Sequence, residues 1–292
     1  MKKVITLLTF VVLVTNLLLA QNEVKYFDAD FPDSIPKKYA PNLISIKGRF
    51  QESLTMSTDG SEQLFTQTLS TNWMQERILR IKLHENKNVI FDTLHFDIKF
   101  NGFSEPMITN DNKRLFFIAD KECWYSNRTK TGEWSTPLKL DSVGSRKEYW
   151  FLRILKTDMD ESAFYNYSKD RSVFASSEFL SFKNAIQPGC DPYISSSGDY
   201  IIFSSFKPGG YGQGDLCVCF NDGHGNWSEA YNLGPEINTQ YFEYGPILSP
   251  DQKFLFFSRR EKWENAAFSD IYWVSTVVLE KLKKTNQLNT VK

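Results

Sequence analysis

Glu105 and Asp191 each stand four residues ahead of a short polar turn phrase, Arg153 stands four ahead of another, and Glu243 stands six ahead of a further one. Offsets of four and six have the same parity, so on strands these side chains are expected to share one side. A mainly acidic ring gathered in this way can take a cation or a polar ligand. If two of the carboxyls Glu105, Asp191 and Glu243 came within roughly 5 to 10 Å of each other in one pocket, they could hydrolyse a glycoside. The plainer reading is that the acids satisfy neighbouring backbone amides or are solvated. Tyr211 and Trp263, with Trp73, Arg259, Arg260 and Phe268, fall in loops expected at the same end. Aromatics beside charged groups suit sugar or peptide recognition, or serve to pin long loops.

No other chemistry is legible, so no catalytic residue, metal ligand or cofactor is assigned. His84, His95 and His224 have no ligand spacing. The loop Gly209-Gly210-Tyr211-Gly212-Gln213-Gly214 lacks the Lys-Ser/Thr of a phosphate loop and lies between two strands rather than before a helix. No Gly-x-Ser-x-Gly occurs, and the turns lack the downstream Gly and Trp of sialidase Asp boxes.

The elements that carry these residues are read from repetition. The phrase Ser-Pro-Asp-Gln before Phe254–Phe257 recurs as Ser57-Thr58-Asp59-Gly60, Thr109-Asn110-Asp111-Asn112, a degenerate Thr157-Asp158-Met159-Asp160, and Ser195-Ser196-Ser197-Gly198. The intervals are 52, 48, 38 and 54 residues. Each phrase leads into an apolar run such as Leu115–Ile118, then a third run such as Leu216–Phe220, then a segment from Trp to Leu such as 134–140 or 227–233. Four strands in a period of roughly 40 to 50 residues are the blade of a β-propeller. The apolar runs lack alternation because a strand between neighbouring blades is covered on both faces.

The fold is therefore expected to be all-β, a single propeller of four-stranded antiparallel blades, with five blades and six as the alternative. The last repeat ends before its fourth strand, and residues 40–47 have the look of the missing one. An N-terminal strand is thus expected to close the ring and remove exposed edges. The expected division is 1–20 signal peptide, 21–39 extended lead-in, 40–276 propeller and 277–292 tail, with a short helix over 276–284.

Residues 1–20 carry two early lysines, an apolar run from Val4 to Leu19, and Ala20 before a polar stretch, the pattern of a secretory signal peptide, with an uncleaved anchor as alternative. No later stretch approaches the roughly 20 apolar residues that span a bilayer. A net charge of −1 without a basic block predicts no nucleic-acid partner. Cys217 and Cys219 are poorly spaced to bond each other along one strand, and all four cysteines read best as buried small hydrophobes.

Pro246–Ser258, Pro208–Leu216, Asn226–Glu229, Asn232–Thr239 and Asp270–Val274 together resemble the WD40-like PD40 repeat proteins, related to the propeller domain of periplasmic TolB. The lead-in Lys38–Ser45 looks like that of exported PD40 proteins from Bacteroidetes-type bacteria. The resemblance implies fold and export, with no single activity. The expectation is a monomeric, non-catalytic module in the periplasm or outside the cell, binding an envelope or secreted protein, or a cell-envelope glycan, through Glu105, Arg153, Asp191, Glu243, Tyr211 and Trp263 at the channel mouth. The alternative is a carbohydrate-active enzyme, a glycoside hydrolase or polysaccharide lyase.

Overall fold

The computed structural model describes residues 24–69, 75–83, 89–109, 111–120, 122–139, 164–165, 179–180, 189–195, 197, 199–222 and 227–289. Among them the chain is all-β apart from one C-terminal helix. A short strand, β1 (Lys37–Lys38), precedes sheet I, made of β2 (Phe50–Met56), β3 (Glu62–Thr68), β4 (Glu76–Leu83) and β5 (Val89–Thr93). Sheet II is β6 (Phe103–Ile108), β7 (Arg114–Ala119), β8 (Glu122–Asn127) and β9 (Leu138–Lys139). From the third repeat, β10 (Phe164–Tyr165) pairs with β11 (Phe179–Leu180). Sheet IV is β12 (Gly189–Ile194), β13 (Tyr200–Ser205), β14 (Asp215–Phe220) and β15 (Tyr231–Asn232). Sheet V is β16 (Phe242–Leu248), β17 (Phe254–Arg260) and β18 (Ser269–Ser275), and the helix α1 (Val277–Asn289) follows.

Within each four-stranded unit consecutive strands pair antiparallel, and a parallel pair, Ser269 with Phe50, joins sheets V and I. Sheet V gains its fourth strand from the N-terminal segment, with Lys37 opposite Trp273 and Lys38 opposite Tyr272. The pairing residues lie just upstream of the expected 40–47. That stretch is instead a compact turn in which Leu43 and Ile44 donate to the Ala40 carbonyl. Ala40 and Asn42 have φ of 43° and 72°, outside what a strand allows. The turn drives Tyr39 and Ile44 into the core beside Phe256 and Trp273.

The turn phrase has one local mechanism. Ser57, Thr109 and Ser249 each donate a hydroxyl hydrogen bond to the aspartate two residues on, at 2.6 to 2.7 Å. The same hydroxyl oxygens accept the amide five residues on, which opens the second strand. Each aspartate in turn accepts an amide two residues further, closing an Asx turn. Gly60, Asn112 and Gln252 take the positive φ that the turn requires.

Cores lie between consecutive sheets. Leu64 and Ile78 of sheet I meet Leu115 and Phe117 of sheet II. Phe65 and Ile81 meet Phe256 and Trp273 of sheet V on the other side. Leu255 and Phe257 of sheet V meet Ile202 and Val218 of sheet IV. Covered on both faces, β3 and β13 have no reason to alternate, and Ile201 to Phe203 are wholly buried. Each large apolar side chain so covered contributes about 1.5 to 3 kcal/mol.

The first strands β12, β16, β2 and β6 pack directly on one another in that order. All four carry a β-bulge at the same level, between Cys190 and Tyr193, Tyr244 and Ile247, Glu52 and Thr55, and Ser104 and Met107. A positive φ recurs inside each bulge, at Asp191, Gly245, Ser53 and Glu105. Hydroxyls on second strands lock these bulges to the neighbouring sheet. The Ser53 amide donates to Ser258 Oγ, the Glu105 amide to Thr66 Oγ1, and Ser204 Oγ to the Glu243 carbonyl.

The turn end is occupied by the two ends of the described chain. The lead-in crosses it where Lys25 donates its amide to the Asp59 carbonyl and Tyr26 donates its hydroxyl to Asp251 at 2.6 Å. Gly60 is glycine for this reason as well, since a Cβ there would lie 2.1 Å from the Lys25 carbonyl oxygen. Helix α1 extends past the expected 276–284. Thr276 Oγ1 ties its start to the Gln252 and Lys253 carbonyls, and Val278 and Leu279 are buried between sheets IV and V. The opposite end, where loops join second to third strands and enter first strands, is the end these segments leave uncovered.

Candidate recognition surface at the loop end

Three loops converge at the loop end of sheets IV and V: 206–214, 236–241 and 261–268. The glycine-rich loop is shaped by packing. A Cβ on Gly212 would sit 2.2 Å from the Thr239 and Tyr241 carbonyl oxygens, and one on Gly214 would strike the Phe242 ring. Asp215, buried at the base, accepts the amides of Tyr211 and Gly212 and the Asn232 side-chain amide at 2.7 to 3.1 Å. Asn238 closes the next loop by pairing both ends of its amide with the Leu216 backbone.

Gln213 joins this loop to the third, accepting the Trp263 amide on Oε1 at 3.0 Å. The indole of Trp263 rests against Phe206 and Phe242, with ring centroids 6.1 and 5.2 Å away. Even so, Trp263 remains 43% exposed and Tyr211 49% exposed. The loops are therefore held by their backbones, and part of each aromatic surface is left to solvent.

Glu243 lies beneath the same surface and is fully buried. Its carboxylate accepts the Thr239 hydroxyl at 2.6 Å, the Thr239 amide at 3.1 Å and Arg259 Nε at 2.7 Å. Arg259 also donates to the Ile237 carbonyl and lies over the Tyr272 ring, 4.3 Å from its centroid. Burial pushes the Glu243 carboxyl above its ordinary range, against the Thr239 hydroxyl and the Arg259 charge, which pull it down. A carboxylate held by three donors at full burial organises the loop above it.

The bulges also alter the expected equivalence. Counted from its turn, the residue of β16 level with Glu105 and Asp191 is Gly245, and the residue of β2 level with Glu243 is Gln51. A bulge interrupts strand alternation, so the parity of offsets four and six does not carry across it. Glu105 and Asp191 are half-buried at the positive-φ positions of β6 and β12, on sheets II and IV. Arg153, Trp73, His84 and His224 lie outside the described residues. The structure thus brings Glu243, on the first strand of sheet V, together with Tyr211 and Trp263 around one loop cluster, and sets Glu105 and Asp191 in the bulges of the first strands of sheets II and IV. Arg260, expected beside Trp263 at the surface, is fully buried, and its Nε donates to the Lys262 carbonyl.

Sequence reasoning missed a second polar group, buried between sheets V and I. Tyr244 donates its hydroxyl to Glu52, which also accepts Thr68 Oγ1 at 3.0 Å, and Ser269 Oγ lies 3.2 Å from the tyrosine oxygen. The signal was present in the one acid and the one tyrosine at offset five from their turns. Among the described residues no group of three or more His, Cys, Asp or Glu can hold a metal ion. Cys217 and Cys219 are free and buried.

No family model matches the chain, and none of the curated proteins does. Solved structures do align with it. TolB from Acinetobacter baumannii matches at 12% identity and a TM-score of 0.41, over 77% of this chain and 54% of its own, so the chain spans about half of that protein. A GH43 endo-arabinanase from Bacillus licheniformis matches at 12% identity and 0.44, over 79% and 95% of the two chains. The exo-β-1,3-galactanase 1,3Gal43A from Clostridium thermocellum matches at 11% identity and 0.47, over 82% and 62%. Neither family nor activity passes to this chain across such distances.

Proposed function

We propose that the chain is a non-catalytic recognition module that binds a cell-envelope glycan at its loop end, on the surface carrying Tyr211 and Trp263. The observation that supports this reading is the pairing of exposed aromatic faces with rigidly tied backbones. Sugar rings stack on such faces through their C–H surfaces, and a pre-formed platform loses little entropy on binding. Occupation of the turn end by the lead-in and α1 favours the loop end as the free one. A protein ligand of this loop end, the other reading the sequence supports, would use the same aromatic surface.

In this reading the described sheets are blades of a five-bladed ring of the PD40 kind, with β1 as the closing strand, and residues 1–20 direct export to the periplasm or beyond. The carbohydrate-active alternative needs two carboxyls facing one pocket. Glu243 is committed to Thr239 and Arg259, which favours recognition over catalysis.

The test is a thermal-shift and tryptophan-fluorescence titration with peptidoglycan fragments and with α- and β-linked hexose oligosaccharides. A ligand at 100 times its Kd adds about 2.7 kcal/mol, a shift of roughly 5 to 10 °C. The shift should vanish in Trp263→Ala and Tyr211→Ala, each of which removes a partly exposed aromatic face. Absence of any shift from a folded sample would sink the glycan reading.

A further inference from the structure

The outer edge of sheet I differs from those of the other described sheets. Sheets II, IV and V end in regular strands of only two residues, β9, β15 and β1, flanked by isolated bridges and single backbone hydrogen bonds, so their edges are irregular. Sheet I ends in β5, five residues long. Very short edges are one way proteins prevent unwanted pairing, and β5 lacks that protection. Its sequence, Val89-Ile90-Phe91-Asp92-Thr93, carries no lysine or proline. Asp92 is held by Arg80 in a two-pronged ion pair at 2.7 and 3.0 Å.

The polarity of this edge follows from the register. The Leu94 amide donates to the Ile78 carbonyl, directly opposite, so in an antiparallel pair Asp92 and Ile90 also turn their backbone groups toward β4. Val89, Phe91 and Thr93 then turn their N–H and C=O groups outward. Among the described residues no strand pairs with that side. The side chains of Val89, Ile90 and Phe91 are 45, 42 and 39% exposed. Phe91 leans toward Phe65, with ring centroids 6.3 Å apart, so the apolar face of the edge continues into the core between sheets I and V.

We propose that β5 is a docking edge for an extended segment of a partner polypeptide, which adds to sheet I as a fifth strand. Outward donors and acceptors repeating every second residue are matched by another extended backbone, and side chains at alternate positions set which one. The partner places aliphatic or aromatic residues over Val89 and Phe91. On the other face, beside Arg80, Lys82 and Glu133, it places polar residues. The occupant is a flexible segment and not a second rigid copy of this chain. A five-residue edge covers far less than the roughly 1,200 Å² of a stable interface between folded proteins.

The probe is a fluorescent peptide copying the chain's own β4, residues 76–83, the strand that already pairs with β5 on its inner side. Binding to the purified protein is followed by anisotropy. A matched peptide N-methylated at alternate residues keeps the side chains but cannot form the ladder. The expected result is saturable binding that weakens at least tenfold for the N-methylated peptide. It should weaken similarly for Phe91→Pro, which removes one outward N–H and leaves the β4 ladder intact. Phe91→Lys, which keeps the backbone but removes the apolar contact, should weaken binding less. Three results overturn the proposal: no binding by the folded protein, equal binding of both peptides, or a concentration-dependent dimer that Phe91→Lys dissolves, which would make a second copy the occupant.

Discussion

Glu105 and Gly245 occupy the same place on two different sheets, four residues before the turn, with φ of 58° and 59°. One position pays the cost of a side chain in the left-handed region and the other avoids it. Gly245→Ala should therefore destabilise by about 1 kcal/mol. The nearest atom to a Cβ there is Ser258 Oγ at 3.7 Å, ordinary contact, so backbone strain is the whole effect. Glu105→Gly should stabilise by up to about 1 kcal/mol, less whatever its side chain contributes. Chemical denaturation of both variants checks the pair, and a loss of stability in Glu105→Gly would show that the carboxylate outweighs the strain.

The hydroxyls that tie bulges to neighbouring sheets predict a second effect. Ser258 is buried and receives the Ser53 amide at 3.1 Å across the junction of sheets V and I. Ser258→Ala leaves that amide without its acceptor and should cost about 1 to 3 kcal/mol, whereas Ser258→Thr keeps an acceptor and should cost less. Amide hydrogen exchange at Ser53 reads the site directly. Unchanged protection in Ser258→Ala would contradict the role given to the hydroxyl.

These two relationships mark how far the sequence could be read. The turn phrase was legible because its chemistry is local: Ser249 and Asp251 satisfy each other and the amides of the same turn. The bulge was not legible. Ser53, Glu105, Asp191 and Gly245 share a backbone shape but no side-chain chemistry, and equal parity puts Glu243 and Glu105 on one side only where alternation is unbroken. The glycines at 212 and 214 were visible as a loop, yet their cause is contact with Thr239, Tyr241 and Phe242 of the next sheet. Burial of Arg260 likewise depends on the fold of the sheet V and I junction, which no window of sequence contains.

Glu243 gives a pH signature of unusual sign. Burial raises its folded-state pKa above the ordinary 4.5, so the folded protein binds this proton more tightly than the unfolded chain. The stability that follows is present below the unfolded pKa and is lost as pH rises through the folded one. Glu243→Gln should remove that slope above pH 4.5, seen as a flatter plot of unfolding free energy against pH. It should also loosen the loop above, because Arg259 loses its anionic partner, and so increase exchange at the Thr239 amide. A slope that survives the substitution would assign it to another group.

The turn aspartates act in the opposite direction. Asp59, Asp111 and Asp251 are held below the ordinary 3.8 by donors from Ser57 and Ser61, from Thr109 and Lys113, and from Tyr26, Ser249 and Lys253, which overcome the opposing effect of burial. Their contribution is full above the unfolded pKa and is lost as pH falls through the folded values. Asp251→Ala should cost about 1 to 2 kcal/mol at pH 7 and progressively less below pH 4. Acid titration of the wild type and the variant should therefore converge, and parallel curves would refute the assignment.

Cys217 and Cys219 are the reverse of reactive thiols. They lie two apart on β14, the third strand of sheet IV, both buried and both free. Burial pushes each thiol up to about 12, with Asp215 adding to the effect at Cys217. Almost no thiolate exists at pH 8, and the thiolate is the nucleophile. In the folded protein both should resist maleimide or iodoacetamide for hours, while in denaturant both should label within minutes, as read by peptide mass spectrometry. Labelling that tracks denaturant concentration then reports the opening of sheet IV. Rapid modification without denaturant would mean that β14 opens on its own, and the rigid base given to the Tyr211 loop through Asp215 would fall with it.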